Sequence, residues 1–193
     1  MSTSRLEAFS DGVFAIIITI MVLELKVPHG VDLAALRPLL PIFLSYVLSF
    51  VFVGIYWNNH HHMLQVVQRV TGRNLWANLH LLFWLSLTPF VTGWMGENNF
   101  APIPVAIYGT DLLMSALAYT LLQRSLIRSQ GRDSALARAL GSDTKGNASL
   151  AIYAASVAVA TWYPLVACSG YVLVAILWLI PDTRIERTIA TNK

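Results

Sequence analysis

The sequence predicts an all-α integral membrane protein, and three observations support this fold class. Hydrophobic residues make up 56% of the 193-residue chain and charged residues only 12%, about half the charged fraction of soluble domains. The hydrophobic residues form long runs with few or no charges, close to the length that crosses a bilayer as a helix. The basic residues are concentrated between alternate runs, which explains the net charge of +3 by membrane orientation. We therefore expect no nucleic-acid partner.

The hydrophobic runs predict six membrane-spanning helices in a single domain over residues 1–193. The last hydrophobic block, 150–180, would extend about 46 Å as one helix, too long for a hydrocarbon core of about 30 Å. Trp162-Tyr163-Pro164 places an interfacial aromatic pair and a helix breaker near its middle, so we divide the block there. The predicted spans are approximately 5–27, 38–64, 73–96, 102–128, 147–163 and 165–181.

The basic residues also predict which way the chain crosses the membrane. With six spans, both termini lie on the same side. That side holds eleven of the thirteen Lys and Arg residues, and the opposite side holds only Lys26 and Arg37. Because basic residues concentrate in cytoplasmic loops, we expect both termini in the cytoplasm.

Three predicted helices carry polar residues at the same depth, near their cytoplasmic ends. An ionised Asp inside an apolar helix is costly in a bilayer and usually has a partner. We predict an interlocked network in which Asp11 pairs with Arg5 or a protonated histidine, while carboxamides satisfy the remaining polar groups. The polar residues at this level are Arg5, Ser10 and Asp11 on the first helix, Asn58, His61, His62 and Gln65 on the second, and Asn74, Asn78 and Trp76 on the third.

The histidines raise an alternative function. The chain would then be a histidine-dependent membrane protein that binds a metal or haem, or a histidine-dependent membrane enzyme. It would use His60, His61, His62 and His80. Consecutive residues on a helix point about 100° apart, so the run of three cannot face one metal, and another helix would have to supply a ligand. The other interpretation is a polar helix end whose histidines hydrogen-bond to neighbouring helices. Ser10 points to a different face from Asp11, which disfavours a hydrolase triad. We expect no catalytic residue, no metal ligand and no cofactor.

The apolar part of the first helix has one continuous face, formed by Ile16, Thr19, Ile20 and Leu23 at positions i, i+3, i+4 and i+7. A face of this kind commonly contacts lipid or other helices. It can also line a narrow pore that branched side chains close by excluding water, with the Thr19 hydroxyl as its polar group. The spacing alone leaves both interpretations open.

The string Arg5-x3-Phe9-Ser10-Asp11, followed by a long apolar helix, resembles the first-helix signature of the transmembrane protein 175 family of potassium channels. Trp57-x2-His60-His61 on the second helix and Asn78 on the third resemble the polar partners of that signature. The resemblance covers the six-span layout over nearly the whole chain. Its specific part lies in the first three helices.

The resemblance implies a homotetramer in the lipid bilayer of the cell membrane, with the first helices of four subunits around a central pore. The permeant ions would be potassium and other monovalent cations, with only modest preference for potassium over sodium, because apolar rings do not imitate a hydration shell. Ile16 would form the narrowest ring, and Thr19, Ile20 and Leu23 would line further layers toward the outside. The implied structural network, outside the conduction path, consists of Arg5, Ser10, Asp11, His60 or His61, and Asn78.

Overall fold

The computed structural model describes residues 3–131, 134–140 and 143–179, and this part of the chain contains helices and connecting loops only. The predicted all-α class is therefore confirmed. The helices are α1 (Thr3–Leu23), a 3-10 helix (Leu33–Leu39), α2 (Leu40–Gln65), α3 (Gly72–Glu97), α4 (Pro102–Gln130), α5 (Ala135–Leu140), α6 (Thr144–Ala160) and α7 (Pro164–Leu179).

Four segments of the described chain are long and apolar enough to cross a membrane. They are α1, the 3-10 helix together with α2, α3, and α4. Two shorter helices follow, α6 with 17 residues and α7 with 16. α6 ends at Ala160 and α7 begins at Pro164, so the helix is interrupted where the sequence analysis divides the last hydrophobic block. A proline is well suited to the first position of a helix because the amide hydrogen it lacks would have no intrahelical partner there.

The helices pack around two hydrophobic clusters, and α2, α3 and α4 contribute residues to both. The first cluster joins α1 to α2, α3 and the second half of α4, with Phe14, Met63 and Leu85 fully or almost fully buried. The second joins α2, α3 and the first half of α4 to α6 and α7 around Tyr108 and Tyr171. α1 packs against α2 and α3 at the edge of this bundle. One side of α1 is therefore left uncovered by the described subunit.

The end of the bundle opposite the predicted cytoplasmic side carries an exposed ion pair. Lys26, in the loop after α1, donates a hydrogen bond from Nζ to Oε1 of Glu97 at the end of α3, over 2.5 Å. This hydrogen bond and the negative charge of Glu97 raise the pKa of Lys26, because both favour the ammonium form. The contact ties the loop after α1 to the end of α3.

Candidate pore helix and its polar anchor

α1 has a buried face and an exposed face, and the four residues predicted to line a pore lie on the exposed one. The exposed fractions are 58% for Ile16, 43% for Ile20 and 79% for Leu23, and Thr19 is also exposed. The described part of the subunit therefore leaves this face free. The opposite face packs into the bundle through Leu6, Ser10, Phe14, Ile17 and Met21.

Thr19 is the polar residue of the exposed face, and its hydroxyl is already engaged within the helix. The Oγ1 hydrogen is donated to the carbonyl oxygen of Ile16 over 2.9 Å. A hydroxyl has one hydrogen and two lone pairs, so the oxygen of Thr19 can still accept hydrogen bonds or contact a cation. The face thus combines apolar branched side chains with one level of hydroxyl oxygen.

A buried chain of hydrogen bonds holds the cytoplasmic half of α1 against two other helices. Ser10 Oγ donates to the Leu6 carbonyl over 2.9 Å, and Asn78 Nδ2 on α3 donates to Ser10 Oγ over 3.0 Å. The other end of the Asn78 carboxamide, Oδ1, lies 2.7 Å from Nε2 of His60 on α2. Since a carbonyl oxygen only accepts, Nε2 of His60 carries the hydrogen. The side chains of Ser10, His60 and Asn78 are completely buried.

Two further contacts join α1 to α2 beside this chain. Trp57 Nε1 donates to Asp11 Oδ1 over 2.9 Å, and His61 Nδ1 lies 2.7 Å from Glu7 Oε1. Glu7 and Asp11 are one turn apart on α1, and Trp57 and His61 are one turn apart on α2, so the contacts form two parallel rungs. We call these rungs together with the chain Ser10–Asn78–His60 the anchor.

The anchor differs from the predicted network in the partner of Asp11. That partner is the neutral indole of Trp57 and not Arg5 or a histidine, because His61 is engaged by Glu7. Arg5 is exposed. Because it precedes Asp11 by six helical positions, the two side chains point about 120° apart around the helix axis. The motif match names Trp57 among the polar partners of the first helix but does not pair it with Asp11, and the role of Glu7 toward His61 was missed. The matching i, i+4 spacings on the two helices were the available signal.

The polar residues at the start of α3 separate into different surroundings, although the sequence places them at one level. Asn74 is buried, accepts hydrogen bonds from the backbone nitrogen and the hydroxyl of Thr71, and donates to Ser125 on α4. It therefore contacts α4 and not the anchor. Trp76 is exposed. Of the predicted α3 residues, Asn78 alone is buried toward α1 and belongs to the anchor.

Three of the four candidate histidines hydrogen-bond in different contacts, while Nδ1 of His62 is buried without a hydrogen-bond partner among the described residues. His60 bonds to Asn78, His61 to Glu7 and Gln65, and His80 accepts from the indole of Trp84. Within the part of the chain that the structure describes, no three His, Cys, Asp or Glu side chains are arranged to hold a metal ion. The histidine-dependent metal or haem alternative is therefore not supported.

Comparison with known proteins identifies the family. Residues 5–89 match the family model described as "Endosomal/lysosomal potassium channel TMEM175", a segment that contains both sides of the anchor. A potassium channel from Chryseobacterium sp. (strain P1-3) is 56% identical over 192 residues, covering 100% of both chains. The chain belongs to the TMEM175 family. The resemblance drawn from the sequence motifs is thus confirmed.

Other TMEM175-type proteins agree in sequence and in fold. A potassium channel from Streptomyces collinus (strain DSM 40733 / Tue 365) is 36% identical over 134 residues, covering 65% of each chain. The crystal structure of a lysosomal potassium-selective channel TMEM175 homolog from Chamaesiphon minutus matches with a TM-score of 0.80 and 26% identity. That match covers 93% of this chain and 97% of the other. These relatives are named as ion channels, which agrees with the prediction that the TMEM175 chain described here is a multi-pass membrane protein and not an enzyme.

Proposed function

We propose that four copies of this chain form a potassium-permeable channel in which α1 of each subunit lines a central pore. The observation that carries the proposal is the exposure of Ile16, Thr19, Ile20 and Leu23 on one face of a helix whose opposite face is fixed inside the subunit. Ile16 forms the narrowest ring, and the other three residues line wider layers toward the outside. The anchor lies beside the conduction path.

The anchor determines which face of α1 can be turned toward a common axis. A packed helix has a fixed rotation whether its exposed face contacts lipid or a pore, and the relatives named as potassium channels favour the pore. α1 is fixed in rotation because Ser10 accepts a hydrogen bond from α3, Asp11 accepts one from α2, and Glu7 pairs with His61 of α2. Fixed rotation is what four equivalent helices need to present the same side chains to a common axis.

The chemistry of the exposed face determines how such a pore would work. Rings of isoleucine and leucine exclude water when they close, so conduction requires the constriction to widen and hydrate. Apolar side chains do not replace the hydration shell of an ion, so selectivity for potassium over sodium is modest, and the Thr19 hydroxyls supply oxygen contacts. The permeant ion needs no bound cofactor. The names of the relatives support potassium as that ion.

We further propose that the chain crosses the cell membrane six times, with α6 and α7 as the last two spans and both termini in the cytoplasm. The loop between α1 and the 3-10 helix then lies outside, and the loop between α2 and α3 lies inside. The excess of basic residues on the inner side supports this orientation.

Potassium flux into liposomes that contain the purified chain tests the proposal. We expect potassium-dependent flux from the wild type. The flux should be faster when the narrowest ring is made polar by Ile16→Asn, or when the outer layer is widened by Leu23→Ala. Val22→Ala is the matched control, because Val22 is 44% exposed but lies at the edge of the exposed side of α1, about 100° around the helix axis from Leu23. Absence of flux in the wild type and in both pore variants, or an equal effect of Val22→Ala, would rule out this pore.

A further inference from the structure

An open pocket of about 790 Å³ lies between the first turn of α3 and the last turns of α4, at the predicted cytoplasmic end of the bundle. Three arginines line it, Arg73 from α3 and Arg124 and Arg128 from α4, and none of the described residues that line it is acidic. Arg124 and Arg128 are one turn apart on the same helix, where like charges repel each other. The charge of this pocket is therefore balanced best by an anion from outside the chain.

The walls of the arginine pocket are held in place by contacts that do not use the arginines. Asn74 Nδ2 donates to Ser125 Oγ over 2.9 Å and joins the first turn of α3 to α4. Gln130 Nε2 donates to the Arg69 carbonyl over 2.7 Å and joins the end of α4 to the loop before α3. Within the described residues, no ion pair engages Arg73, Arg124 or Arg128. Their guanidinium groups are thus available on a preformed frame.

The chemistry of the pocket suits a phosphate group. Arginine presents a planar fork of N–H donors that matches phosphate oxygens, and charge-assisted hydrogen bonds of this kind are about twice as strong as neutral ones. The pocket also includes Ser125, whose hydroxyl oxygen accepts from Asn74 and whose own hydrogen can be donated to the same oxygens. The start of α3 at Gly72 adds the positive end of a helix dipole.

The surroundings of the pocket indicate that the phosphate belongs to a lipid. Ala77 and Leu121 form the wall on the membrane side, and Leu121 is half exposed. Trp76, which precedes Ala77 in α3, is exposed, and tryptophan favours the level of lipid headgroups. A free phosphate would gain nothing from an apolar wall, whereas the acyl chains of a lipid would cover it. Basic pockets between spans on the cytoplasmic side are suited to acidic headgroups.

We propose that this pocket binds the phosphate of an anionic phospholipid of the inner leaflet, held by Arg73, Arg124 and Arg128. The acyl chains extend past Leu121 into the bilayer. The site is separate from the exposed face of α1, and lipid binding is measured without ion flux. A failure of the lipid proposal would therefore leave the pore proposal intact, and the reverse also holds.

Binding of phosphatidylglycerol and phosphatidylcholine to the full-length protein in detergent, followed by native mass spectrometry, tests the site. We expect phosphatidylglycerol to bind at least about 10-fold more tightly than phosphatidylcholine. Arg124→Gln and Arg128→Gln should each weaken phosphatidylglycerol binding by about 10-fold, the loss that follows from one charge-assisted hydrogen bond. Arg37→Gln is the matched control, because it removes the same charge at the opposite end of the bundle, and it should change binding by less than about 2-fold.

Three results would overturn the proposal. They are equal binding of the two lipids by the wild type, unchanged binding by folded Arg124→Gln and Arg128→Gln variants, and binding of inorganic phosphate as tight as that of the lipid. Elution volume and melting temperature without added lipid establish that each variant is folded. If a glutamine variant does not fold, Arg128→Lys replaces it, since lysine keeps the charge but lacks the planar fork. Arg128→Lys is expected to bind phosphatidylglycerol less tightly than the wild type, and wild-type affinity in this variant would contradict the arginine site.

Discussion

Asn78 connects three helices because it uses both ends of its carboxamide. Its nitrogen donates to Ser10 on α1, and its oxygen accepts from His60 on α2. All three side chains are completely buried. Few alternatives to Asn fit this position, since an apolar side chain would leave Nε2 of His60 unpaired and a carboxylate could not donate to Ser10. One amide group thus joins α1 to both α2 and α3.

We expect Asn78→Leu to lower the free energy of unfolding by about 2–4 kcal/mol, because it leaves the buried Nε2 of His60 without a partner and removes the hydrogen bond that Ser10 accepts. Thermal or denaturant unfolding of the purified protein in detergent measures the change. Ser86→Ala on the same helix is the control, because Ser86 is exposed and donates to the Phe83 carbonyl of its own helix. It should change stability by less than about 0.5 kcal/mol. Equal losses in the two variants would contradict the connecting role of Asn78.

Asp11→Ala should reduce the yield of assembled tetramer more than the potassium flux of each tetramer that forms. The reason is that Asp11 holds α1 against α2 through Trp57 and lies away from the exposed face. Trp57→Phe removes the same hydrogen bond while it keeps an aromatic ring, so the two single variants and the double variant should lose similar yields. Size-exclusion chromatography and liposome flux give the two quantities. Unchanged tetramer yield with altered ion selectivity would show that Asp11 faces ions.

At this scale, the sequence indicates that Asp11 needs a partner but not which partner it has. Reasoning from charge favoured Arg5 or a protonated histidine, and a neutral indole was not considered as the donor for Asp11. The choice depends on how α1 is rotated against α2. In an apolar helix that contacts protein on one side and lipid or a pore on the other, both sides are hydrophobic, so the residue pattern gives little information about rotation. The packing of Phe14, Ile17 and Met21 into the bundle shows how α1 is rotated against α2.

At the scale of whole helices, the pair α6–α7 depends on the close approach of small residues. A Cβ atom added at Gly170 of α7 would overlap Oγ of Ser156 on α6 and would lie 3.3 Å from its Cβ. Helices in membranes commonly associate through such small residues, which let their backbones approach each other. The break between these helices was predictable from the length of the hydrophobic block and from Pro164. Their contact residues were not, because many small residues are available along both helices.

Gly170→Ala should lower the free energy of unfolding by about 1–3 kcal/mol, the usual effect of an extra carbon in a packed interface. Ser156→Ala in the same chain should restore most of the loss, because it removes the oxygen that overlaps. Gly54→Ala in α2 is the control, since no other group lies near its added Cβ. It should be neutral or stabilising by up to about 1 kcal/mol. The absence of rescue by Ser156→Ala would place the strain elsewhere. Unfolding in detergent measures all three variants.

At the scale of the whole molecule, the orientation of the chain in the membrane determines which leaflet the proposed lipid pocket faces. Cysteine labelling tests it in a Cys168→Ala background, with Val31→Cys before the 3-10 helix and Gln68→Cys between α2 and α3, both at exposed positions. In intact cells, we expect a membrane-impermeant maleimide to label the Val31→Cys protein directly and the Gln68→Cys protein only after permeabilisation, because basic residues stay inside. The unlabelled Cys168→Ala parent is the control. The reverse pattern would move the arginine pocket to the outer leaflet and contradict the proposed inner-leaflet lipid.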